Sequence, residues 1–117
     1  MANLNGKKGS QKHQDVQKEV FEKTTSEYDD QPNIKVEMEV PISTPNGKKK
    51  GRVADVAAFS KQKPLQFFKI LQVGKTESDG KPVKREQEAI EDIESHLDIR
   101  VSFVDYEKYI LNHGKAN

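Results

Sequence analysis

At 117 residues the chain is sized for one domain, and with 32% hydrophobic against 33% charged residues its core must be small. Lysine plus arginine (20) nearly balances aspartate plus glutamate (19), so net charge identifies no nucleic-acid or membrane partner; the absence of cysteine excludes disulfides, thiolate metal sites and thiol nucleophiles. No apolar run reaches the roughly 18 residues of a membrane helix, and the Lys-rich start lacks the apolar centre of a signal peptide, so a soluble chain without membrane insertion is expected.

Residues 1–9, "MANLNGKKG", read as a flexible basic arm, residues 10–113 as a single domain and residues 114–117 as a tail. From Ser10, a candidate N-cap, to about Tyr28, Val16, Val20 and Thr24 recur every fourth residue among charges, the period of an amphipathic helix. "NIKVEMEVPI" then alternates: Ile34, Val36, Met38, Val40 and Ile42 fall on one face, with Lys35, Glu37 and Glu39 on the other, as in a half-buried strand. "TPNGKKKG" holds the residue types of a turn, which predicts a hairpin. The returning strand "RVADVAAF" is apolar on both faces, and so is "LQFFKILQV" at 65–73, as expected of central strands. A helix over 83–97 carries the stripe Val83, Ile90, Ile93 and Leu97; "IRVSFVDY" predicts a fourth strand, and "EKYILNH" a last short helix. The expected class is α/β (α+β), with α-β-β-β-α-β order and helices covering a mixed sheet.

Asp55 is the one acidic residue of the second strand. Pairing Val40 with Ala54 or Val56 would bring Glu37 and Glu39 to the same face as Asp55, whereas a two-residue Asn46-Gly47 turn would set Asp55 beside Met38; convergence therefore requires a longer loop or a bulge. Converging carboxylates repel unless a cation neutralises them, and oxygen donors suit Mg²⁺ or Mn²⁺. The alternative is a solvated aspartate at the sheet rim. The third strand ends "ILQVGK", where an amide oxygen from Gln72 could bind metal and the Lys75 ammonium could stabilise charge at a phosphate.

These elements resemble the PD-(D/E)XK nuclease superfamily. "GRVADVAAF", "LQVGKTESDGKPVKRE" and "AIEDIE" look like small nuclease modules at the C-termini of bacterial polymorphic toxins of the Rhs-repeat and contact-dependent inhibition types. The resemblance spans about Ser10 to Tyr106. It implies a restriction-endonuclease-like fold and a metal-dependent endonuclease acting on DNA or RNA, tRNA among them. It also implies a target cell's cytoplasm as the place of action and a cognate immunity protein as partner. In it Asp55 takes the role of the metal-binding Asp, Gln72 that of the Glu or Gln, and Lys75 that of the Lys. The family motif has one residue between the last two where this chain has Val73 and Gly74, so Lys75 reaches the face of Gln72 only through a bulge at Gly74. Glu39 is the favoured extra carboxylate.

The family often adds a Glu from its first helix; here Glu27 and His13 share the Val16/Val20 face. His13 could carry a proton or contact phosphate, or simply be a half-exposed histidine at a helix start. Glu86, on the stripe of the second helix, could join the site or merely complement the helix dipole. Lys48, Lys49, Lys50 and Arg52 at the hairpin tip, with Lys84 and Arg85 across the third-strand loop, are candidate contacts to a nucleic-acid backbone, or a solubilising edge. "GKT" lacks the earlier glycine of a P-loop, and no serine is placed for Ser/His/Asp catalysis. A non-catalytic nucleic-acid-binding or protein-interaction domain on the same scaffold is the competing function.

Overall fold

The computed structural model describes residues 11–62 and 65–113; the arm at 1–9, Ser10 and the tail at 114–117 lie outside the described residues. The order is α1 (Gln11–Glu27), β1 (Ile34–Ser43), β2 (Gly51–Ser60), β3 (Phe67–Gly74), α2 (Lys84–Leu97), β4 (Val101–Asp105) and α3 (Tyr106–His113). The four strands form one mixed sheet in the order β1-β2-β3-β4: β2 runs antiparallel to both β1 and β3, and β4 lies parallel to β3. Parallel neighbours need a crossover, which α2 provides. No helix among the described residues is long and apolar enough to cross a membrane.

Ile70 and Leu71 are consecutive on β3 and so point to opposite sides of the sheet. Each belongs to a different apolar cluster. On one side Val40, Ile42, Ala54, Ile70 and Val101 pack with Ile93 of α2. On the other, Val56, Leu71 and Val73 pack with Val16 and Val20 of α1, and Tyr106 and Tyr109 of α3 join them. The four-residue spacing of Val16, Val20 and Thr24 does give α1 its buried stripe. A fully buried aliphatic side chain contributes about 1.5–3 kcal/mol, so these two small clusters supply most of the stabilisation.

The hairpin turns through residues 44–50 rather than a two-residue Asn46-Gly47 turn, and Val40 pairs with Ala54. One expectation fails. Val36 belongs to the α1 side, yet Val40 and Ile42 belong to the α2 side, so the five alternating apolar residues of β1 do not share a face. Likewise on β2, Ala54 packs with α2 while Val56 packs with α1. Both strands exchange sides between the pairs Met38↔Val56 and Val40↔Ala54, leaving the register intact. On β1 the exchange falls at Glu39, whose φ of 56° puts it in the left-handed region. That conformation costs a non-glycine residue roughly 1–2 kcal/mol. Glu39→Gly is therefore expected to stabilise the fold by roughly 0.5–1 kcal/mol, read as a higher midpoint in urea with an unchanged slope.

Candidate functional site

The strand exchange opens the sheet beside Asp55. Past Val56↔Leu71 the β2–β3 ladder stops, and side chains replace its hydrogen bonds. The Val73 backbone N–H donates to Asp55 Oδ2 at 2.7 Å, and the Asp55 N–H donates to Gln72 Oε1 at 2.7 Å. Gln72 Nε2 reaches the Val53 carbonyl at 3.4 Å, so the buried amide of Gln72 stands in for a missing peptide group between the strands. From above, Gln17 of α1 donates to the Asp55 carbonyl at 2.9 Å.

One helical turn before Gln17, His13 covers the same opening. Its ring Nε2 lies 2.7 Å from the Val73 carbonyl and 3.7 Å from Asp55 Oδ2, with the ring edge-on to Tyr106 at 6.0 Å between centroids. A carbonyl can only accept, so Nε2 carries the proton. Contact with the Asp55 carboxylate raises the His13 pKa; burial opposes this, and the charge of Asp55, the Val73 carbonyl and Glu86 add to the rise. His13 thus closes over Asp55, its ring tied to the Val73 carbonyl beside the carboxylate.

Glu86, in the first turn of α2, lies against the end of β3. Its carboxylate lies against Gly74, where an added Cβ would meet it at 3.2 Å and Phe103 at 3.1 Å, so only glycine fits there without displacing them. Burial pushes the Glu86 pKa up, the charge of Asp55 pushes it further, and Arg85, His13 and Arg52 oppose the shift. The charges of Asp55 and Glu86 therefore repel each other across the end of β3.

The remaining candidates are distributed unevenly. Lys75 is exposed just past the end of β3, which pairs regularly with β4 as far as Gly74↔Asp105, so no bulge at Gly74 interrupts that ladder. Glu39 is exposed, and Glu37 is tied to Lys35 at 2.7 Å. Glu27 pairs with Lys69 at 2.8 Å, about 21 Å along the helix axis from His13, and stays away from the opening. Among the described residues no group of three or more His, Asp or Glu is arranged to hold a metal ion. Compared with family models, curated proteins and solved structures, the chain matches none.

The basic tip divides. Lys48, Lys49 and Lys50 are exposed, whereas Arg52 turns inward, its side chain 9% exposed, and pairs with Asp92 of α2 at 2.7 Å. Lys48 also reaches Glu88 at 3.2 Å, while Lys84 and Arg85 are exposed at the start of α2. Sequence patterning had not singled out Gln17 or Asp92. A polar residue on a helix's apolar stripe signals Gln17; Asp92 adjoins Ile93, the one buried apolar residue of α2, and carries no comparable signal.

These groups set the dependence of stability on pH. Glu86 and His13 both hold a proton more tightly folded than unfolded, so their contributions are complete below the ordinary values of 4.5 and 6.5 and are lost as pH rises through the raised ones. Asp92 and Asp105 have the opposite sign. For Asp92, burial alone would raise the pKa, but the Lys48 N–H, Arg52 and the Lys49 N–H hold it low. For Asp105, burial is likewise outweighed, by Thr76 and the Lys108 and Glu107 N–H groups. Their contributions are present above 3.8 and lost as pH falls through the depressed values. Thermal stability is expected to peak on the acidic side of neutrality. Glu86→Gln should raise the melting temperature by a few degrees at pH 7.5 and flatten the decline above pH 4.5, measured by calorimetry across pH.

Proposed function

We propose that the protein is a metal-dependent endonuclease that hydrolyses phosphodiester bonds of DNA or RNA, on a restriction-endonuclease-like arrangement of its α-β-β-β-α-β elements. The observation that carries this is the Asp55 carboxylate held at the separation of β2 and β3 by the Val73 N–H, with His13 3.7 Å from it and the Glu86 carboxylate against Gly74 at the end of β3. Such a pair of oxygen donors fits a hard divalent cation. Mg²⁺ is commonly bound by one or two carboxylates, with waters and substrate phosphate completing its shell.

In this scheme Asp55 and Glu86 would hold Mg²⁺ or Mn²⁺, which would supply a water of lowered pKa and polarise the phosphoryl oxygen. Asp55 keeps its aim because Oδ2 is fixed by the Val73 N–H. Gln72, whose amide oxygen is engaged by the Asp55 N–H, positions Asp55 rather than the ion. Lys75, exposed beside the opening, stabilises charge at the phosphate, and Lys49, Lys50, Lys84 and Arg85 hold the nucleic-acid backbone. Delivery as a toxin effector into a target cell's cytoplasm, with a cognate immunity protein, is part of the same proposal and rests on the resemblance alone.

Incubation with plasmid DNA and with total tRNA, in Mg²⁺, Mn²⁺ or EDTA, tests it. Cleavage with either metal and none with EDTA supports the proposal, and intact substrates under every condition overturn it. The alternative, a non-catalytic nucleic-acid-binding domain, is favoured by the backbone-capping role of Asp55. It requires salt-sensitive binding without cleavage, unchanged in Asp55→Ala.

A further inference from the structure

Loop 44–50 is tied down more thoroughly than an exposed turn needs. The Asp92 carboxylate, 6% exposed, accepts the N–H of Lys48 at 3.0 Å, the N–H of Lys49 at 3.2 Å and Arg52 Nε at 2.8 Å. From within the loop, fully buried Thr44 donates its hydroxyl to the Lys49 carbonyl at 2.7 Å and its N–H to the Lys50 carbonyl at 2.9 Å. The Asn46 N–H donates to His96 Nε2 at 3.1 Å, so a second α2 side chain grips the same loop. The backbone of three consecutive lysines is thus held in place, with the side chains of Lys49 and Lys50 in solvent and that of Lys48 reaching Glu88.

Adjacent ammonium groups repel, and an untethered loop would spread them apart. Holding the backbone from beneath removes the ordering cost that binding would otherwise incur. Gly51, at the foot of the loop, is four residues along β2 from Asp55, about 13 Å at 3.3 Å per residue. Phosphates on one strand of a duplex advance about 3.4 Å each along its axis, so the loop would meet the backbone about four nucleotides from a bond lying over Asp55.

We infer that Asp92 is a positioning residue for nucleic-acid binding, fixing loop 44–50 so that Lys49 and Lys50 engage backbone phosphates beside the Asp55 opening. This rests on the proposed nuclease function and assigns the origin of its substrate affinity. Gly47→Ala isolates the effect without changing any charge. A Cβ there would lie 2.5 Å from Asp92 Cγ and 2.6 and 2.8 Å from its oxygens, and Asp92 is itself pinned by Arg52, so the loop must lift. Asp92→Asn keeps the shape of the side chain and removes its charge.

Each variant is compared with the wild type using a fluorescein-labelled 20-nucleotide RNA hairpin and a DNA duplex between 50 and 200 mM KCl. Amide exchange at Lys48 and Lys49 reports the state of the loop. The expected result for both variants is faster exchange at those amides, a Kd weakened roughly 5- to 10-fold, and a salt dependence shallower by about one or two phosphate contacts. For Gly47→Ala, KM on a cleaved substrate rises with kcat retained. A purely structural tie would lower the melting temperature and leave the salt slope unchanged. The inference is overturned if either variant, folded by circular dichroism, binds with wild-type Kd and salt slope. A wild-type protein that neither binds nor cleaves overturns the nuclease proposal itself, a distinguishable outcome.

Discussion

In the proposed nuclease, Asp55→Asn is expected to reduce cleavage by roughly 10³-fold or more while the fold survives. The asparagine can still accept the Val73 N–H through its amide oxygen, so the strands remain bridged, but the charge-assisted part of that 2.7 Å bond is lost. The cost should be roughly 1 kcal/mol. With the carboxylate gone, His13 loses the first cause of its raised pKa, and the pKa of Glu86 falls for want of the neighbouring charge. Nuclear magnetic resonance titration of the His13 ring reads the lowered pKa of His13 directly, whatever the protein's activity. Melting curves in EDTA and in excess Mn²⁺ test the metal: Mn²⁺ should stabilise the wild type and leave the variant unchanged. Equal stabilisation of both would remove Asp55 from the metal site.

Ile93→Ala should produce the largest loss of stability, about 2–5 kcal/mol. Ile93 is fully buried and is the only apolar residue of α2 that is; Ile90 and Leu97 are packed against the same cluster but only partly covered. One side chain therefore anchors the helix that carries both Glu86 and Asp92. Against a total stability of about 5–15 kcal/mol, such a loss removes a large share. A fall in melting temperature on the order of 10 °C is expected by calorimetry. A change under about 1 kcal/mol would mean that α2 is held mainly by Asp92 and the loop.

Much of the fold is legible in local pattern. Four-residue spacing placed α1, alternation placed β1, two-sided apolar composition placed β2 and β3 inside the sheet, and turn residues placed the hairpin. Element ends moved by only one or two residues. Asp55 stood out because a lone acid in a central strand must find a partner, and Glu86 because it lies on an apolar stripe near a helix start. Length, balanced charge and the lack of cysteine also bounded the chemistry before any fold was known.

The tertiary structure decided what these residues meet. A left-handed glutamate has no signature in composition or period, yet β1 turns over at Glu39, which splits its expected single apolar face between two helical layers. Gln72 was legible as a polar residue in an apolar strand; that its amide would replace a backbone bond at Asp55 follows only from where β2 and β3 part. The basic tip was read as four cations of one kind, but Arg52 belongs to a buried pair 40 residues away in sequence. His13 reaches Val73 across 60 residues. Periodicity reports which side of an element is apolar because that depends on neighbours within a turn or two. The partner of a buried charge depends on distant segments brought together by the whole core, and it is set only once that core has formed.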